Sequence, residues 1–143
     1  MESKLWPVVR FSALALQLLD QGIVPVLIGV ASERDMADQL CDEVPGAVSL
    51  IGKTEIGEMA ALIAQADGFV GHDSGPFHVA VAVGTPALAI CGRPDAEPEY
   101  LSYNREGVAV LIREDPEHIS VDEVFMETVR LLGMSHRENS ACG

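Results

Sequence analysis

The run with the most chemistry in it is Val70-Gly71-His72-Asp73-Ser74-Gly75-Pro76-Phe77-His78, where a short apolar stretch gives way to a helix-forming one. Gly75 lets backbone come close to a ligand. Pro76 suits the first position of a helix, where its missing N–H matters little. Free N–H groups around Gly75, Phe77 and His78, together with the Ser74 hydroxyl, would hold a phosphate. Asp73 would repel a bare phosphate, so it is better suited to accept from a hydroxyl-bearing group or to orient the loop. A purely structural reading stands beside this one: Asp73 or Ser74 caps the helix and His78 packs on a strand.

Three further segments point at the same edge. Lys4-Leu5-Trp6-Pro7 precedes the first helix. A lysine there can neutralise phosphate as a point charge, or simply be an exposed side chain near a chain end. Trp6 reads as a packing residue. Glu33, in Val30-Ala31-Ser32-Glu33-Arg34, can accept from ribose hydroxyls, or be a favourable acid in a first helical turn. Gly52-Lys53-Thr54 closes a strand-to-helix turn, where backbone can touch a base or sugar.

Other chemistries fail on spacing. A serine-hydrolase elbow needs glycine two residues before the serine, and His72 holds that place. Neither GxGxxG nor a Walker lysine motif occurs. His72, His118 and His136 lack ligand-like partners at helical spacing and read as surface residues. Cys41, Cys91 and Cys142 are odd in number and far apart. That spacing argues against a disulfide framework or a zinc site and fits a reducing cytoplasm.

The elements that must position these residues alternate. Phe11, Leu14, Ala15, Leu18 and Leu19 form one stripe of a helix over 11–21, stopped by Gly22. Val24–Gly29 reads as a parallel strand covered on both faces. Ser32 is expected to cap a helix running to Glu43. A short strand follows over 47–50. Thr54 is expected to cap the next helix, with Glu55 and Glu58 in its first turns. Strands over 69–71, 87–90 and 108–112 and a small-residue helix over 76–83 come next. Ser120 and Glu123 form a capping box for a last helix to about Leu132. Residues 92–105 read as a loop and 135–143 as a flexible tail. Strands separated by helices imply an α/β fold, a Rossmann-like doubly wound parallel sheet in a single domain over 1–134. Because the first element is a helix, the chain begins just after a strand or belongs to a larger protein.

Composition agrees. The 143 residues are 48% hydrophobic and 22% charged, the mix of a globular domain. Nine basic against 22 acidic residues give a net charge of −13, which excludes broad nucleic-acid binding and docking on anionic lipid through this chain alone. The longest apolar run, Val79–Cys91, is too short to span a bilayer and is broken by Gly84-Thr85-Pro86. The opening residues lack the apolar core of a signal peptide.

In order along the chain stand Lys4-x-Trp6-Pro7, Phe11-x-x-Leu14, Val26-Leu27-Ile28-Gly29-x-x-x-x-Glu33-Arg34 and Gly52-Lys53-Thr54-x-x-x-Glu58-x-Ala60-x-Leu62-Ile63-x-x-Ala66-Asp67. Then come Asp73-Ser74-Gly75-Pro76-x-His78-x-Ala80, Gly84-Thr85-Pro86 and Gly92-x-Pro94-Asp95. This series resembles the C-terminal half of the family 9 glycosyltransferases, the ADP-heptose:lipopolysaccharide heptosyltransferases.

The resemblance implies the C-terminal domain of a GT-B enzyme, which holds an ADP-sugar donor. Lys4 and the Ser74-Gly75 turn would contact the diphosphate, with Pro76 and Phe77 in that turn. Asp73 and His78 would lie near the donor, Glu33 at the adenosine ribose, and Thr54 at the same edge. The reaction implied is inverting transfer of a heptose to a lipid A–core acceptor. No cofactor or metal is expected. The acceptor domain and the catalytic-base aspartate it carries are absent from this chain, so the chain alone is expected to be inactive and contributes no catalytic residue. The full-length enzyme would be cytoplasmic and peripheral at the inner membrane. An exposed strand or apolar face predicts homo-oligomers. The alternative is a non-catalytic α/β interaction module derived from such a transferase.

Overall fold

The structure, a computed structural model, describes residues 5–92 and 106–133. Lys4, the loop over 93–105 and the expected tail over 135–143 lie outside the described residues.

Helix α1 (Val8–Asp20) starts three residues before the predicted stripe, because Pro7 at φ −60° turns the chain into it and its carbonyl accepts from Arg10 and Phe11. Gly22 ends the helix in the left-handed region at φ +79°. Strand β1 (Val26–Leu27), helix α2 (Arg34–Glu43) and strand β2 (Val48–Ser49) make a parallel unit with Val26 opposite Val48. Helix α3 (Ile56–Gln65), strand β3 (Phe69–His72), helix α4 (Gly75–Val83), strand β4 (Ala87–Cys91), strand β5 (Val108–Ile112) and helix α5 (Val121–Leu132) follow. β3, β4 and β5 pair in parallel in that order.

The layers follow from alternation along β4, the central strand of this sheet. Leu88 and Ile90 face α1 and α5, in a core with Trp6, Leu14, Ile119 and Val124. Ala87 and Ala89 face α3 and α4, in a core with Ile63, Phe77, Ala80 and Val81. Small residues on that face let α4 lie close to the sheet, which sets its amino end beside the end of β3. Helices on both faces of parallel strands bear out the doubly wound expectation. Among the described residues the strands form two sheets, β1-β2 and β3-β4-β5, with no ladder joining them.

Three local expectations need correction. β1 is not covered on both faces: Leu27 packs against the α1–α2 cluster of Ala15, Leu40 and Val44, while Val26 on the other face stays 48% exposed. Ser32 does not cap α2. A short 3-10 turn, Ala31–Glu33, comes first, and the Glu33 carboxylate reaches back to accept from the Val30 N–H at 3.0 Å. Thr54 does not cap α3 either; Glu55 holds the cap position, and its N–H donates to the Glu58 carboxylate at 3.0 Å. In both places the helix start falls elsewhere, and an acid reaches back three residues. The Ser120 cap is as expected, its hydroxyl accepting from the Glu123 N–H at 3.0 Å.

Candidate functional site

In parallel α/β sheets ligands gather beyond the carboxyl ends of the strands. Here β3 ends at His72, and two residues later α4 begins at Gly75 with Ser74 as its N-cap. The Ser74 side chain does not cap the helix. Its hydroxyl lies 3.4 Å from the His72 carbonyl oxygen, which also accepts the Ser74 N–H at 2.8 Å. The turn is therefore fastened to the strand end, and the helix amino terminus is left open.

Of the three N–H groups expected to be free, two are. The Gly75 and Phe77 N–H groups have no partner among the described residues, and Pro76 between them has none to offer. The His78 N–H donates to the Ser74 carbonyl at 3.3 Å as the first bond of the helix. The correction has a simple cause: α4 starts at Gly75, one residue before the predicted start, so its register uses up the fourth donor. Two convergent N–H dipoles at the positive end of a helix favour an anion. A side chain at Gly75 would meet nothing within 4 Å, so backbone there is open to approach.

The side chains of the turn divide. Phe77 is fully buried in the α3–α4 core, so only its backbone can serve the site. The His78 ring stands edge-on to Phe77 at 5.3 Å and is half-buried. Asp73 is half-buried, and Ser74 and Gly75 are exposed.

Glu33 is brought to the same edge. One carboxylate oxygen is bonded to Val30, and a Cβ on Gly29 would stand 2.5 Å from it, so the acid folds over the end of β1. Its charge is felt at His72. Thr54 lies on the loop after β2, half-buried and without a hydrogen bond among the described residues. That loop is tied to β1 by the Gly52 N–H donating to Gly29 O at 2.9 Å. Gly52 itself is at φ +71°, and a Cβ there would be 3.2 Å from Ala31 Cα.

His72 is not the surface residue its sequence context predicts. Its Nε2 accepts the Trp6 backbone N–H at 2.9 Å, and its ring stands edge-on to Phe11 at 5.4 Å. Burial pushes its pKa below the usual 6.5, against the opposing pull of the Asp73 and Glu33 charges. Trp6 is buried, as expected, and its indole N–H donates to the Ile119 carbonyl at 3.0 Å. These contacts join residues more than sixty positions apart, so no local spacing announces them.

Among the described residues the site is an open edge and not a closed cavity. A cavity of about 310 Å³ past β5 is lined by Arg113, Glu114, Asp115 and His118, and one of about 330 Å³ lies at the opposite end of the sheet. Neither includes the Ser74 turn, and among the described residues no group of histidine, cysteine and acid side chains is arranged to hold a metal ion. No helix among them is long and apolar enough to cross a membrane.

Parallel strands wrapped on both faces, with an anion-attracting helix terminus open at the strand ends, define a Rossmann-like α/β domain. The chain belongs to glycosyltransferase family 9 (heptosyltransferase), whose sequence profile matches residues 1–123. It is 33% identical over 103 residues to lipooligosaccharide heptosyltransferase 2 of Haemophilus influenzae, covering 68% of this chain and 29% of that protein. It is 37% identical over 97 residues to lipopolysaccharide heptosyltransferase 3 of Escherichia coli K12, covering 64% and 28%. The chain thus spans about three tenths of the length of these curated relatives.

Among solved structures, E. coli ADP-heptose lipopolysaccharide heptosyltransferase II superposes with a TM-score of 0.80 at 25% identity, over 92% of this chain and 43% of that one. E. coli heptosyltransferase WaaC, solved with ADP, superposes at 0.77 with 19% identity over 88% and 39%, a likeness of fold.

Proposed function

We infer that this chain is the donor-binding domain of an inverting heptosyltransferase-like glycosyltransferase of lipopolysaccharide core synthesis, taking an ADP-sugar such as ADP-heptose. The carrying observation is the pair of N–H groups of Gly75 and Phe77, just past β3, that have no partner among the described residues. A diphosphate is the anion that suits them, since its oxygens can accept from both donors and from the Ser74 hydroxyl. Lys4 supplies the balancing charge in this reading. Supporting that role, Trp6 is bonded to His72 at the same edge, and two residues of chain reach at most about 7 Å. Glu33 keeps one carboxylate oxygen without a protein partner among the described residues, suited to a ribose hydroxyl. Thr54, Asp73 and His78 complete the surroundings of the donor.

In chemical terms this half stabilises the departing diphosphate. Fixed N–H dipoles and a lysine act most strongly on the charge that builds on the leaving oxygen. The nucleophile's base and the lipid A–core acceptor belong to a second domain, and an open edge is one wall of the cleft such a domain would close. Solved relatives bound to ADP and to ADP-2-deoxy-2-fluoro heptose support the choice of ligand.

Calorimetric titration of the 143-residue chain with ADP and AMP tests the reading. ADP is expected to bind at least about ten-fold more tightly, the worth of one extra charge-assisted hydrogen bond. Equal affinities would mean that the diphosphate is not what the edge recognises.

The exposed Val26 and Val48, side by side on the β1–β2 sheet, favour a further contact of this domain with a partner or with a second copy. A concentration-dependent mass in light scattering is the expected sign of self-association; a constant monomer mass contradicts it.

A further inference from the structure

We propose that the two sheets are halves of one, and that the slot between β1 and β3 receives an extended polypeptide segment from outside these 143 residues, lying parallel to both strands. The inference stands apart from the donor-binding reading.

One edge of each strand is taken. β2 bonds to β1 through the Pro25, Leu27 and Gly29 carbonyls, which accept the Val48, Leu50 and Gly52 N–H groups at 3.0, 2.8 and 2.9 Å. Successive residues of a strand turn their backbone groups to opposite edges, so Val26 and Ile28 turn theirs away from β2. On β3 the Phe69 N–H donates to the Pro86 carbonyl at 2.8 Å, beside β4. Val70 and His72 therefore turn away from β4. The N–H groups of Val26, Ile28, Val70 and His72 have no partner among the described residues.

The packing brings these bare edges face to face. α1 crosses from one sheet to the other: its Phe11 packs against both the core of Leu88 and Ile90 and the cluster of Leu40 and Val44. Beneath, Ile28, just past β1, and Phe69 of β3 pack against the same α3–α4 core. At the carboxyl ends the Glu33 charge acts on the His72 ring. The slot thus has α1 as its roof and α3 and α4 as its floor.

The lining defines the occupant. Both edges offer peptide donors and acceptors, and an extended backbone satisfies the two at once, because its own groups alternate between them. Roof and floor are apolar, so the segment carries uncharged, β-branched side chains, as strands covered on both faces do. Four residues match the length of β3. Val26, 48% exposed on the floor side, is the side chain such a strand would cover. Among the described residues all five strands already have their places, and this chain spans about three tenths of its curated relatives, so longer members of the family carry chain enough to supply another.

The test adds a blocked peptide, acetyl-KTVIVVTK-amide, to the 143-residue chain. Fluorescence anisotropy reads affinity and NMR reads amide hydrogen exchange. Two further peptides of the same sequence carry N-methyl groups on one or the other alternate pair of the central residues, so that each loses the donors turned to one edge. The expected result is saturable binding that slows exchange at Val26, Ile28, Val70 and His72. Both methylated peptides should bind at least about 5-fold more weakly, the worth of two net hydrogen bonds, because a strand between two neighbours uses both edges. A spin label at the carboxyl end of the peptide should broaden the His72 amide more than that of Phe69; the reverse order overturns the parallel orientation. Weakening by one methylated pair alone means addition to an outer edge and overturns the slot. Slow exchange at the four amides in the chain alone, unchanged by peptide, overturns it too, because the chain or a second copy then fills the gap. Absence of binding up to the solubility of the peptide overturns it as well.

Discussion

Gly75→Ala separates a glycine kept for the ligand from one kept for the fold. Gly75 is the first residue of α4, its φ is not in the left-handed region, and an added Cβ would meet nothing within 4 Å. The fold therefore loses no contact, and the unfolded chain loses freedom. Stability is expected to stay level or rise by about 0.4–1 kcal/mol. The ligand meets a different situation. The added methyl group takes up open space beside the turn, where a diphosphate drawn to within about 2.9 Å of the Gly75 N–H must lie. A hydrogen bond from a neutral donor to a charged oxygen is worth about 1.5–3 kcal/mol. Losing one weakens ADP binding about 10- to 150-fold. Urea unfolding and calorimetric titration with ADP on the same preparation read the two effects separately. A variant as stable as wild type that binds ADP equally well would refute the reasoning, because the anion would then not lie against this backbone. A variant that loses stability would refute the claim that the space is open.

Three further outcomes concern the fold around the site. Ser12 is buried in α1 and its hydroxyl has no partner among the described residues, so Ser12→Ala should stabilise the chain by about 1 kcal/mol, seen as a melting midpoint raised by about 3–5 °C; a lowered midpoint contradicts it. Ser120→Ala removes the side-chain acceptor at the start of α5 and should lower stability by about 0.5–2 kcal/mol in urea, whereas an unchanged midpoint would show that solvent replaces the cap. The folded pKa of His72 lies below its unfolded value of 6.5 because burial outweighs the Asp73 and Glu33 charges. The unfolded chain therefore binds this proton first as pH falls, so stability present above 6.5 is lost between 6.5 and the lower folded pKa. Urea midpoints from pH 7.5 to 5 should fall more steeply for wild type than for H72Q, and parallel profiles would contradict the assignment.

The parts of this structure that were legible in the sequence are those decided locally. Strand β5 falls on the predicted residues, Val108–Ile112, because an unbroken β-branched and apolar run between turns admits little else. Ser120 caps α5 because the hydroxyl and the N–H it serves are three residues apart. The Asp73–His78 turn is where it was expected, since Pro76 and Gly75 fix a helix start after an apolar strand. What was missed depends on competition or on distance. Ser32 and Thr54 do not cap because the helix starts fall elsewhere, where the Glu33 and Glu58 carboxylates reach back three residues to the Val30 and Glu55 N–H groups. The loss of the His78 donor hangs on one residue of helix register. Val26 is half-exposed because an apolar run does not say whether a second layer covers it. His72 was unreadable because its partners are Trp6 and Phe11, brought to it only when α1 packs across the sheet. Family membership was legible from the ordered motifs and is borne out over residues 1–123.

The most direct test of the central claim follows backbone amide resonances of the 143-residue chain during titration with ADP. The account predicts that the Gly75 and Phe77 amide protons, which have no partner among the described residues, move furthest and downfield, as N–H groups do on meeting an anion. Saturable shifts confined to some other surface, with these two amides unmoved, would contradict it.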